Sequence, residues 1–182
     1  MRLSARAIAR DPFLRFIALG LLLYLGWQLL YTFVVHPWGK LDRVVIDNIM
    51  WISGGTLELL GYTLIPEPQV DNNRYLGVDG GSHLWIGDPC DGVGLFAVFL
   101  IFLLAYPGPW KHKGWFGLLG VLSIHLINNA RVVALCIINK VNYHLLNFQH
   151  DYTFYVIVYG WVFFLWYLWV KRFGPKRSTS AA

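Results

Sequence analysis

Charge is scarce in this chain. Of its 182 residues only 14% are Asp, Glu, Lys or Arg, while 57% are hydrophobic and 17% aromatic. A soluble domain of this length needs a more polar surface, and several apolar runs here are long enough to cross a bilayer. Cysteine is nearly absent as well: Cys90 and Cys136 are the only two. They exclude a disulfide framework, show no zinc-type spacing and form no Cys-x-x-Cys redox motif. The net charge of +5 does not point to nucleic acid, because the basic residues sit at the ends of apolar runs, where membrane topology needs them. Nine Trp and ten Tyr suit aromatic belts at two membrane interfaces.

These features predict an all-α polytopic membrane protein forming a single membrane domain over residues 1–182. About four transmembrane helices are expected, with interfacial or re-entrant helices and a small extracytoplasmic β-hairpin. The first span covers Phe13–Val35, behind a basic terminus with Arg2, Arg6, Arg10 and Arg15. It is too long for a signal peptide and has no small-residue cleavage site. From His36 to Pro89 the chain is polar and acidic. Within it, Leu41–Ile65 alternates apolar residues with Asp42, Arg43, Asp47 and Glu58, which makes it a poor span. One or two amphipathic helices broken at Gly54-Gly55 are expected there. Arg74–Val78 and His83–Gly87 flank Asp79-Gly80-Gly81-Ser82 and read as the hairpin.

The remaining spans are expected at 90–106, 115–139 and 152–170. The second ends at Pro107-Gly108-Pro109. The third carries Gly114, Gly117 and Gly120 at a spacing that permits close helix packing. The basic N-terminus, the Lys111/Lys113 link and the basic C-terminus all go to the cytoplasm by the positive-inside rule. Both termini are then cytoplasmic, and the chain is a multi-pass protein of the cell's cytoplasmic membrane.

This topology collects Cys90, Arg131 and His150 at the extracytoplasmic face. Asp88 can cap a helix with Pro89 at its first position, which places Cys90 in the first turn, where backbone N–H groups favour a thiolate. Asp88 and Asp91 oppose that effect, and a buried, inert cysteine is the competing reading. Arg131 is costly inside a membrane helix unless it meets a polar cavity or a partner, such as Asp91 or Asp151. Asn128, three residues earlier, shares its face. His150 precedes Asp151, and His144 is the competing base. Cys136 lies about 140° round the helix from Arg131 and packs as a small hydrophobe. His125 reads as a hydrogen-bonded structural group, and His36, His83 and His112 carry no pattern. Thiol, imidazole and guanidinium together suggest acyl transfer, with nucleophile, proton carrier and oxyanion partner.

Three pieces of sequence resemble the exosortase/archaeosortase family of membrane-embedded cysteine transpeptidases. They are Cys90-Asp91-Gly92, Asn128-Asn129-Ala130-Arg131-Val132, and His150-Asp151 before the last span, in the family's order. Typical bacterial members carry more spans, so the chain resembles the compact variants. The resemblance implies that Cys90 is the nucleophile, with Arg131 and His150 as partners; Asn128 and Asp91 are assigned to the substrate. It also implies a membrane-anchored protein substrate with a C-terminal sorting signal, cleaved and passed to an acceptor on a surface glycan or lipid. No metal, cofactor or nucleic acid is expected. The alternative from another class is a non-enzymatic scaffold for surface polysaccharide or protein export, and a thiol oxidoreductase using both cysteines ranks third.

Overall fold

The computed structural model describes residues 11–66, 68, 74–141 and 154–175. A chain this apolar satisfies its backbone hydrogen bonds inside a bilayer by folding into helices or a closed barrel, and among the described residues five helices carry the structure. Helix α1 spans Pro12–Trp38. Asp11 starts it: its Oδ1 accepts from the Phe13 N–H at 2.8 Å, and Pro12 sits in the first turn. Helix α2 spans Lys40–Leu59, α3 Val93–Ala105, α4 Trp110–Val141 and α5 Phe154–Phe173. Helices α1, α4 and the Val156–Phe173 part of α5 are each long and apolar enough to cross a membrane, and α3 is a shorter apolar helix. This is an all-α membrane protein, as its composition predicts.

Helix α4 is the hub. It packs against α2, α3 and α5, while α1 lies on α3. In its most apolar window 44% of α4 is buried, against none of α1. Exposed Leu21, Leu25, Leu29 and Phe33 on α1 are apolar surface of the kind lipid covers. Two of the three spaced glycines make the close approach expected of them. A Cβ on Gly117 would meet Leu100 and Leu103 at 3.3 Å, and one on Gly120 would run into the Phe99 ring; Gly114 faces open space.

The segment between α1 and α3 departs from expectation in one respect. Helix α2 runs unbroken through Gly54-Gly55. Gly54 is buried, and a Cβ there would touch Leu64 at 3.4 Å, whereas Gly55 faces open space; neither breaks the helix. Ile46, Ile49 and Leu57 of α2 join Leu76, Val78 and Ile86 and the α4 residues Val132, Val133 and Cys136 in one apolar cluster. The hairpin is present. Strands β1 (Tyr75–Leu76) and β2 (Leu84–Trp85) pair antiparallel, Tyr75 opposite Trp85 and Leu76 opposite Leu84. Gly80, at φ +84°, makes the turn, a conformation that L side chains rarely adopt. Asn139 near the end of α4 donates to the Ser82 carbonyl at 2.6 Å and moors the hairpin to the helix.

Candidate active site

The chain leaves β2 through Gly87 into a short 3-10 turn, Asp88–Cys90. The Cys90 N–H donates to the Gly87 carbonyl at 2.8 Å, and Gly92 at φ +84° redirects the backbone into α3. Cys90 therefore precedes the helix instead of occupying its first turn; of the two starts the sequence leaves open, near Asp88-Pro89 or later at about Val93, the later one is found. The reason is local: Gly92 is the residue that adopts the left-handed conformation, so the α-helical ladder starts only at Val93. Asp91 takes the capping role, its Oδ1 accepting from the Val93 N–H at 2.7 Å.

Helix α4 holds this turn from the other side. Asn128 is fully buried, and its Nδ2 donates to the carbonyls of Cys90 at 2.8 Å and Asp91 at 3.3 Å. Its neighbour Asn129 points the opposite way and accepts from Ser53 of α2 at 3.1 Å. His125, one turn before Asn129, meets Asn48 Oδ1 at 2.7 Å, in keeping with a structural histidine. Two adjacent asparagines thus join α4 to the Cys90 turn and to α2.

A cavity of about 580 Å³ opens beside the turn, between α1, α3, α4 and α5. Aromatic Tyr24, Trp27 and Tyr31 stand among polar residues of α1 on one side, and the charged groups Asp88, Asp91 and Arg131 lie with Asn128 on the other. Arg131 is only 9% exposed. Asn128 and Arg131, three residues apart on α4, both face the cavity, as their shared helix face requires. Cys90 does not line it. Its half-buried side chain packs toward the apolar cluster of α2 and the hairpin, while both neighbouring residues of the turn, Asp91 and Gly92, face the cavity. Cys136 is buried in that same cluster, and the two cysteines form no disulfide. His150, with His144 and Asp151, lies outside the described residues.

Asp91 is 2% exposed. Burial first, then the carboxyls of Asp42 and Asp88 beside it, push its pKa up to about 7 against the opposing Val93 N–H. Asp42 belongs to the first turn of α2 and accepts from the Tyr31 hydroxyl at 3.1 Å. Asp88 is ion-paired with Arg74, and His36 stands between Asp42 and Asp88. Sequence reasoning missed His36 and Asp42 as members of this site. The hint it passed over was a histidine followed within six residues by Gly39 and an acid, a reversal that returns the chain on itself.

No curated protein and no solved structure matches the chain. A family model described as transmembrane exosortase (Exosortase_EpsH) matches residues 7–170, nearly its whole length. The chain belongs to the transmembrane exosortase family.

Proposed function

We propose that this protein is a membrane-embedded cysteine transpeptidase that cleaves C-terminal sorting signals of exported membrane-anchored proteins and transfers them to a surface glycan or lipid acceptor. The observation that carries this reading is the Asn128 clamp. It ties the Cys90 turn to the helix that presents Arg131, so nucleophile-bearing turn and guanidinium share one cavity. A cavity with an aromatic wall and a charged wall suits a substrate whose transmembrane segment adjoins a polar recognition motif.

In the reaction, His150 takes the proton of the Cys90 thiol, and the thiolate rotates into the cavity and attacks the carbonyl carbon of the scissile amide. Arg131 donates to the oxyanion that forms. The C–N bond breaks, His150 protonates the departing amine, and the substrate remains as a thioester on Cys90. An acceptor amine or hydroxyl then attacks the thioester, loses its proton to His150 and releases the thiol. Asn128 keeps the turn in place, and Asp91 forms the wall that meets the substrate. The site faces the extracytoplasmic side of the cytoplasmic membrane, with both termini in the cytoplasm.

The packing of Cys90 against the hairpin cluster favours one competing reading, a scaffold in which the cysteine is structural. Co-expression with a membrane-anchored reporter carrying a sorting signal separates the two. Under the transpeptidase reading Cys90→Ala accumulates unprocessed reporter at unchanged protein levels. Processing that persists in Cys90→Ala assigns the cysteine to packing.

A further inference from the structure

Three side chains that the transpeptidase reading leaves unused, His36, Asp42 and Asp88, meet at the rim of the cavity. His36 Nδ1 lies 3.7 Å from Asp42 Oδ2 and 3.6 Å from Asp88 Oδ2, and the three groups offer ligating atoms all within 4.8 Å of one another. Two ligands about 2.1 Å from one tetrahedral ion stand about 3.4 Å apart, so the two separations from His36 are close to those of a ligand set, and a small inward shift of the carboxylates completes it.

The second observation concerns Asp42 alone. It is 1% exposed, and Tyr31 serves only its Oδ1. Its Oδ2 is buried and accepts no hydrogen bond. The carboxyl of Asp91 faces it within hydrogen-bonding reach, and Asp91 Oδ2 is likewise buried without a donor. When both are ionised, neither carboxylate can donate to the other, and a buried carboxylate oxygen with no donor is costly. His36 does not resolve this, because at 3.7 Å its nitrogen lies beyond hydrogen-bond distance and stands between two carboxylates at once. Arg74 is committed to the other oxygen of Asp88.

The backbone is shaped to bring these groups together. In a regular α-helix Tyr31 and His36 would lie about 140° apart. A π turn over Tyr31–Val35 closes instead with the His36 N–H on the Tyr31 carbonyl, and the two rings stand 5.7 Å apart. Gly39, at φ +64°, then turns the chain so that Asp42 returns to His36.

We propose that His36, Asp42 and Asp88 bind one divalent cation of the zinc or manganese type, which clamps the Cys90 turn to the junction of α1 and α2. One imidazole with carboxylates suits such an ion better than the all-oxygen sets of magnesium or calcium. The ion neutralises the facing carboxylates and fixes Asp88, two residues before Cys90. The site stands whether or not Cys90 is a nucleophile.

The test is equilibrium binding of Mn²⁺ and Zn²⁺ to the full chain in detergent, followed by EPR, elemental analysis and thermal unfolding. One ion per chain is expected, with a nitrogen hyperfine coupling on Mn²⁺ and a rise in Tm. His36→Ala, at a half-exposed position, loses the nitrogen coupling and weakens binding at least tenfold. Asp42→Asn keeps an acceptor for Tyr31 and loses the ion-dependent rise in Tm. Cys90→Ser binds like the wild type, which excludes capture by the thiol. Saturable binding of neither ion overturns the proposal and leaves a shared proton between Asp42 and Asp91. Equal binding by Asp42→Asn, His36→Ala and the wild type overturns it too.

Discussion

The two ends of the α3–α4 pair are built from opposite materials. Away from Cys90, Phe99, Leu103, Ile124, Val162, Leu165 and Trp169 form a closed cluster, with the tilted rings of Phe116 and Phe173 against Trp169 at 5.2 and 4.8 Å. The buried charge there is Lys113, and it is fully used: its Nζ donates to the carbonyls of Leu104 and Tyr106 at 2.9 Å each, capping α3, and lies over the Trp110 ring. At the Cys90 end Asp42, Asp91, Asn128, Asn129 and Arg131 are all buried within a short distance of one cavity. Oxygen atoms of Asp42, Asp91 and Asn128 accept no hydrogen bond there. Packing contacts, which hold helices together in lipid, are present at both ends, in the Phe99 cluster at the first and in the α2–hairpin cluster at the second. Among the described residues, the unpaired buried polar atoms at the first end are the indole N–H groups of Trp166 and Trp169, whereas at the second they are carboxyl and amide oxygens beside the cavity.

Mutations on either side should therefore act on different quantities. The largest expected effect is Cys90→Ala, which stops processing of a sorting-signal reporter while shifting stability by less than about 0.5 kcal/mol. Removing the guanidinium with Arg131→Gln should lower the acylation rate by about 10²–10³, read in single-turnover cleavage, since it takes away the oxyanion partner. Asn128→Ala cuts the clamp on the Cys90 carbonyl. It should slow cleavage by about tenfold or more, and cost about 1–2 kcal/mol in thermal or denaturant unfolding. At the other end the readouts exchange. Gly120→Ala drives a methyl group into the Phe99 ring and should destabilise the bundle by about 1–3 kcal/mol, leaving thiol reactivity at Cys90 intact in the folded fraction. Lys113→Met, which removes both carbonyl bonds, should cost a similar or smaller amount. If Gly120→Ala altered cleavage at full stability, the division between the ends would fail.

Much of this arrangement could be read from the chain alone. The helices follow the apolar runs, because a bilayer leaves the backbone only a helix or a closed barrel in which to pair. The hairpin follows from the Gly-rich turn between β-prone runs. Asn128 and Arg131 reach the same cavity because residues three apart share a helix face. What the sequence concealed depends on tertiary contact or on backbone conformations at single residues and turns. Gly54-Gly55 looks like a helix break until Leu64 is seen lying against Gly54. Asp88-Pro89 looks like a helix start until Gly92 takes the left-handed turn. His36 and Asp42 share no recognisable spacing with Asp88, and only the π turn and the reversal at Gly39 unite them.

The most direct test of the central claim is to trap the acyl-enzyme. Detergent-purified wild-type protein is incubated with a sorting-signal substrate in the absence of acceptor, quenched in acid and analysed by intact mass and peptide mapping. The account predicts an adduct on Cys90, with the mass of the substrate's N-terminal fragment, that hydroxylamine releases as a thioester. An adduct mapped to another residue, or substrate cleaved at the wild-type rate by Cys90→Ala, would contradict it.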